Sequence, residues 1–164
     1  RRQRQMCIRD RWESRSLPGF TKTKMHIFIT GIAGFLGSNL AEFYLKKGFK
    51  VSGCDNLVGG DLENVNSEVS FYKGNCEDLD FMTRVTKDEV DVLCHSAAYA
   101  HEGLSSISPT LICNNNVTGS VSVFTSAIRN KVKRIVYCSS MARYGNIEIP
   151  FKAVSYTHLT LPTK

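Results

Sequence analysis

The chain has 164 residues, 42% of them hydrophobic, which is the size of one ordinary domain. Its formal net charge of +6 would suggest nucleic acid or an anionic membrane as a partner, but residues 12–153 carry 15 basic against 14 acidic side chains, a net of only +1. No apolar run approaches the roughly 20 residues needed to cross a bilayer, and no C-x-x-C pair suggests a zinc site or a disulfide framework.

The basic excess sits at the ends. Residues 1–11 read RRQRQMCIRDR, and the chain closes on VSYTHLTLPTK. These two strings are what the opposite strands of a transposase sequencing adapter would encode. Residues 1–11 and 153–164 are therefore expected to be adapter-derived scars, outside the fold. Residues 12–24 form a lead of open origin, and Met25 suits a start directly before a strand. Residues 25–152 are expected to form the folded domain. Cys54, Cys76, Cys94, Cys113 and Cys138 are expected to be reduced thiols of a cytoplasmic protein that binds no metal, nucleic acid or membrane.

HIFIT at 26–30 is a short β-branched run and predicts a strand. After the glycines, Leu36, Leu40, Phe43 and Tyr44 recur at helical spacing, and Gly48 supplies a C-terminal stop. FKVSGCD (49–55) predicts a second strand, the turn-rich NLVGGDLENVNSE a loop, and VSFYKG (69–74) a third strand. Residues 77–88 put Leu79, Met82 and Val85 on one helical face, and VDVLCHSAA (90–98) predicts a fourth strand. Pro109 suits the start of a helix running to about Asn130, and KRIVYCSS (133–140) predicts a fifth strand. Short strands alternating with helices imply an α/β, doubly wound parallel sheet of the Rossmann type, broken off after about the fifth strand. Ligands of such sheets lie at the carboxyl ends of the strands.

TGIAGFLG (30–37) stands between the first strand and the first helix. Gly31 permits a tight turn, Gly34 lets backbone approach a ligand, and Gly37 lets the helix pack closely on the strand. The helix N-terminus, at Phe35 and Leu36, then offers N–H groups to a pyrophosphate. Asp55 ends the next strand, 18 residues beyond Gly37, with no Arg or Lys beside it. A carboxylate there accepts hydrogen bonds from ribose hydroxyls and repels a 2′-phosphate, so the expected cofactor is NAD.

The spacing G-x-x-G-F-x-G resembles that of extended short-chain dehydrogenases/reductases, in particular the NAD-dependent sugar-nucleotide epimerase/dehydratase family. Further anchors resemble the same family: CDNLVGG (54–60), GNC (74–76), HSAA (95–98), CNNNVTGS (113–120) and CSSMARYG (138–145). The resemblance covers residues 25–152. It implies cofactor contacts from Asp55 and Asn56 after the second strand, and from Asn75 and Cys76 at the adenine. It also implies contacts from Ser96, Ala97 and Ala98 in the loop against the cofactor, and from Asn115 and Ser139. Asn116 is the next candidate after Asn115, and one of the three consecutive asparagines is expected to bond backbone across the loop.

The same resemblance implies a chemistry. A Ser/Thr at the end of the fifth strand, here Ser140, would hydrogen-bond the reacting sugar oxygen, and a Tyr-x-x-x-Lys pair would supply the base. That tyrosine is expected about 25 residues after Ser140, near position 165, where this chain has ended. Tyr156 does not replace it, since Thr160 stands where the lysine should be. Met141 and Ala142 occupy positions where 4,6-dehydratases carry an Asp-Glu pair. The family reading is thus NAD-dependent epimerisation of a nucleotide sugar through a transient ketone by an intact, homodimeric protein, with the 164-residue chain itself inactive. Two alternatives stay open: a reductase or dehydrogenase of the same family, and a dinucleotide-binding regulator without catalysis. His101 and Glu102 are expected in a solvated loop.

Overall fold

A computed structural model of the protein describes residues 25–140; the lead, both adapter-like ends and the Met141–Ala142 positions lie outside them. The chain divides into two units, and the fold set out here is that of Lys24–Cys138; Ser139 and Ser140 belong to the other unit.

The strands are β1 (His26–Thr30), β2 (Lys50–Asp55), β3 (Ser70–Lys73), β4 (Val92–His95) and β5 (Arg134–Tyr137). All pair in parallel, in the order β3-β2-β1-β4-β5. The helices are α1 (Phe35–Lys46), α2 (Leu79–Val85), α3 (Glu102–Ile107), α4 (Pro109–Cys113) and α5 (Gly119–Arg129). The chain leaves β1 toward β2 on one side and returns through α2 to β4 on the other. The order of strands therefore reverses between β1 and β4, the crevice where such sheets take ligands.

Burial follows the pleat. Ile27 and Ile29 on β1, with Val51 and Cys94, pack under Ala41 of α1. Phe28, Cys54 and Leu93 point to the other face and meet Met82 and Val85 of α2 and Val123 and Ala127 of α5. A central strand covered on both faces must be apolar throughout, which is why HIFIT reads as an unbroken run. Asn130 joins the two helices on that face, its amide donating to the Thr83 carbonyl at 2.9 Å and the Thr86 hydroxyl at 2.8 Å.

Several local expectations need correction. The buried stripe of α1 runs through Gly37 and Ala41, with Leu40, Tyr44 and Leu45 half-buried, whereas Leu36 and Phe43 are exposed. The strands are shorter than the apolar runs: β4 stops at His95, and residues 96–98 are loop. Residues 102–107 form α3 rather than loop, with His101 as its N-cap. The long helix begins with Pro109 in its first turn as expected, but widens to a π-helical turn at Asn114–Thr118 between α4 and α5. β5 pairs with β4 alone among the described residues, and Val136 and Tyr137 on it are about half exposed.

Gly48 closes α1 with a left-handed turn, φ +79°. Its N–H donates to the Leu45 carbonyl and that of Phe49 to Tyr44, the paired bonds of a Schellman motif. The Tyr44 and Phe49 rings then meet at 5.9 Å. A Cβ at Gly48 would have no atom within 4 Å, so substitution there strains backbone alone. Gly48→Ala is expected to lower unfolding free energy by about 1 kcal/mol in urea titration.

Candidate functional site

The turn after β1 is built on the end of β2. The N–H groups of Gly31 and Ile32 both donate to the Cys54 carbonyl, at 2.8 and 3.3 Å, and Gly34 N–H donates to the Gly31 carbonyl. Gly31 adopts φ +70°, and a Cβ there would lie 2.9 Å from the Ala97 backbone. A Cβ at Gly37 would lie 2.1 Å from the Gly31 carbonyl oxygen. The two glycines thus allow the turn to press against the loop after β4 and α1 to press against the turn.

Gly34 caps α1 with no side chain, and the first turn of the helix holds no acid. The N–H groups of Phe35, Leu36 and Gly37 have no carbonyl partner within the helix. With the helix dipole behind them, they are suited to an anion. Phe35 is 88% exposed and Leu36 about half exposed, so their side chains leave this end open.

Asp55, buried at the end of β2, accepts the Ala33 N–H at 3.1 Å on one carboxylate oxygen and the Leu57 N–H at 2.8 Å on the other. The second bond holds Leu57 at φ +63°, an uncommon conformation for a leucine. Each oxygen keeps a further lone pair for a hydroxyl donor. From the other side, Asp61 N–H and the Asn64 amide both donate to the Ala33 carbonyl at 3.1 Å. Gly60 lies close enough that a Cβ would sit 2.8 Å from Ala33.

These pieces surround a cleft, open on one side, at the carboxyl ends of β1, β2, β3 and β4. Its walls are the glycine turn, Asp55 with Asn56, the Gly74–Asn75–Cys76 segment, residues 96–99, His101 and Asn115.

The wall after β4 hangs on one histidine. His95 is 2% exposed, and both ring nitrogens are engaged. Ser120 Oγ donates to the Asn116 carbonyl at 2.5 Å, so it accepts from His95 Nε2–H at 2.9 Å. His95 Nδ1 then accepts from the Thr30 hydroxyl at 2.7 Å, and Thr30 Oγ1 accepts from Ala97 N–H at 3.2 Å. Asn116 in turn clamps the Tyr99 backbone, accepting its N–H at 2.8 Å and donating to its carbonyl at 3.0 Å. The neutral imidazole therefore links β1, the loop after β4 and the π-helical turn. Burial pushes its pKa down to about 4.

Comparison with known proteins decides the family. The sequence model of the NAD dependent epimerase/dehydratase family matches residues 27–163. The UDP-glucose 4-epimerase of Lactobacillus helveticus is 34% identical over 122 residues, 74% of this chain and 37% of that protein. That of Streptomyces lividans is 33% identical over 137 residues, 82% of this chain and 42% of that protein. The crystal structure of the Thermus thermophilus UDP-glucose 4-epimerase in complex with NAD superposes with a TM-score of 0.73 at 30% identity, covering 79% of this chain and 42% of that one. The chain belongs to the NAD dependent epimerase/dehydratase family. It spans about two fifths of the length of these relatives.

Within this family fold, Gly31, Gly34, Asp55, Asn56, Asn75, Cys76, Ser96, Ala97, Ala98 and Asn115 all line the one cleft. Phe35 and Leu36 stand outside its lining, and Gly37 is buried beneath the turn. Asn115 bonds the Leu111 carbonyl at 3.1 Å, and it is Asn116 that ties backbone across the loop. Ser139 and Ser140, both exposed, follow β5 in the unit described apart. Sequence reasoning did not select Gly59, Gly60, Gly74 or Tyr99, which also line the cleft; His101 is exposed as expected and lines it as well. The repeated glycines after Asp55 were the available signal.

Keeping His95 neutral gives a pH dependence of defined sign. Its folded pKa of about 4 lies below the ordinary 6.5, so the stabilisation is complete above pH 6.5 and is lost as pH falls toward 4. Buried His26, also lowered by burial, adds in the same direction. Unfolding free energy should drop by roughly 3 kcal/mol across this window from His95 alone. His95→Gln should flatten that part of the profile measured by urea titration at several pH values.

Proposed function

We propose that this chain is the NAD-binding part of a nucleotide-sugar epimerase and that the cleft holds the dinucleotide. The observation that carries the reading is the juxtaposition of an uncapped α1 N-terminus with the Asp55 carboxylate across one glycine-walled cleft. The group fits what is there: N–H donors for a pyrophosphate, acceptors for a ribose diol, and glycine surfaces at Gly31, Gly34, Gly59 and Gly60 that admit it closely.

In this reading the backbone N–H groups of Phe35, Leu36 and Gly37 bind the pyrophosphate, and Asp55 with Asn56 accepts from the adenosine ribose. Asn75 and Cys76 flank the adenine, residues 96–98 and Asn115 flank the reacting end, and Ser139 is assigned a cofactor contact by the family resemblance alone. When bound, NAD supplies a two-electron acceptor and donor for reversible oxidation of a sugar hydroxyl. Ser140 hydrogen-bonds the reacting sugar oxygen and orients it. A nucleotide sugar as substrate, a homodimer and a cytoplasmic location belong to the same proposal. It is supported by relatives that are UDP-glucose 4-epimerases, one crystallised with UDP-glucose.

Calorimetric titration of the chain with NAD and NADP tests the cofactor. NAD should bind, and NADP should bind at least about tenfold more weakly, because its 2′-phosphate meets the Asp55 carboxylate. Absence of dinucleotide binding by the folded chain would overturn the reading. Gly34→Ala adds a methyl group to the cleft wall at a φ of −82° that alanine accepts. It should weaken NAD binding roughly tenfold while lowering stability by no more than about 1 kcal/mol.

A further inference from the structure

Five cysteines are described, and only two of them share one side of the sheet and one cluster. Cys54 is fully buried at the end of β2, in the cluster formed by Phe28, Met82 and Val123, and Cys76 packs against the same cluster. Cys76 stands beside the Cys54 thiol and, together with burial, pushes its pKa up. The other sulfur beside Cys54 is the Met82 thioether at 3.8 Å, which cannot form a disulfide. Cys94 faces the opposite cluster, under α1, and Cys113 and Cys138 are exposed. Cys76 differs from Cys54 in access: it is half-buried and lines the cleft.

We infer that Cys54 and Cys76 form an oxidisable thiol pair whose disulfide joins two walls of the dinucleotide cleft and weakens dinucleotide binding. A hydroperoxide is the chemical class of oxidant the pair would meet. The cleft-side sulfur of Cys76 attacks the peroxide, giving a sulfenic acid at Cys76 and releasing the alcohol, or water from hydrogen peroxide. The Cys54 sulfur then displaces hydroxide from the Cys76 sulfur, forming the S–S bond and a second water. Two thiols lose one electron each and the peroxide gains two. The neighbouring Cys76 side chain and burial hold Cys54 as the neutral thiol, and access from the cleft leaves the first oxidation to Cys76.

The consequence follows from what each cysteine carries. The Cys54 carbonyl holds the N–H groups of Gly31 and Ile32, and Asp55 is the next residue. Cys76 follows Asn75, and the Gly74 N–H is bonded to the Asp55 carbonyl at 3.0 Å. A disulfide needs its Cβ atoms about 3.8 Å apart with the S–S torsion near a right angle. Meeting that geometry draws the Asn75–Cys76 segment toward β2 and pulls on the support of the glycine turn. This effect on binding rests on the dinucleotide reading; formation of the bond does not.

The test treats the chain with hydrogen peroxide, alkylates the remaining thiols after denaturation, and digests with trypsin. Cys54 and Cys76 fall in different tryptic peptides, 51–73 and 74–84. The expected product is these two peptides joined, separable by dithiothreitol. NAD affinity should fall about fivefold or more on oxidation, the loss of one or two hydrogen bonds, and return on reduction. In Cys76→Ser and in Cys54→Ala, peroxide should no longer change NAD affinity. Oxidation of Cys76 to sulfinic acid with Cys54 still alkylated would overturn the pairing, and a joined form that binds NAD unchanged would overturn the switch. If the reduced chain binds no NAD, the cofactor reading fails while the peptide result still judges the bond.

Discussion

The carboxyl end of β2 is the point from which the cleft is assembled. Two consecutive residues there turn outward-facing backbone into a scaffold. The Cys54 carbonyl receives both N–H groups of the glycine turn, and the Asp55 carboxylate receives those of Ala33 and Leu57. A carboxylate that accepts backbone N–H bonds is a strong acceptor, and replacing it would leave buried donors without partners. Asp55 therefore shapes both the turn after β1 and the loop after β2 before any ligand is considered. A ribose diol would use lone pairs left over from that structural work.

The other wall depends on a different kind of constraint. His95 reaches β1 through Thr30 and the π-helical turn through Ser120, and the neutral ring serves both, donating at Nε2 and accepting at Nδ1. Widening of the helix at Asn114–Thr118 is what lets consecutive asparagines divide their work. Asn116 turns to the Tyr99 backbone while Asn115 stays at the cleft. Neither β2 nor β4 forms the site alone. Parallel pairing of each with β1 brings the two supports to the same edge of the sheet.

What the sequence made legible was local. Glycine spacing, β-branched runs and the Gly48 stop each act within a few residues, and each appears where the pattern put it. The α1 face was misread because close packing on the sheet is achieved by Gly37 and Ala41, small residues that a search for large apolar side chains passes over. α3 was missed because EGLSSI has neither apolar period nor strong helix formers. The bond between Asn116 and Tyr99 spans 17 residues, and that between Thr30 and His95 spans 65. Such partners are fixed by topology, so one-dimensional reading could name candidate asparagines without dividing their roles.

The same dependence on topology explains how a chain spanning about two fifths of its relatives' length carries every wall of the cleft. Every wall residue of the cleft lies between the end of β1 and the π-helical turn, at the carboxyl ends of β1, β2, β3 and β4, in the loops that follow them or in that turn. β5 contributes to the sheet by pairing with β4, and Cys138 N–H donates to the His95 carbonyl at 3.1 Å, so this last strand steadies the histidine wall. The stack of Tyr137 on His95, 5.6 Å between ring centroids, adds to that support. The hydrogen bonds that build the walls of the cleft thus close within residues 25–138.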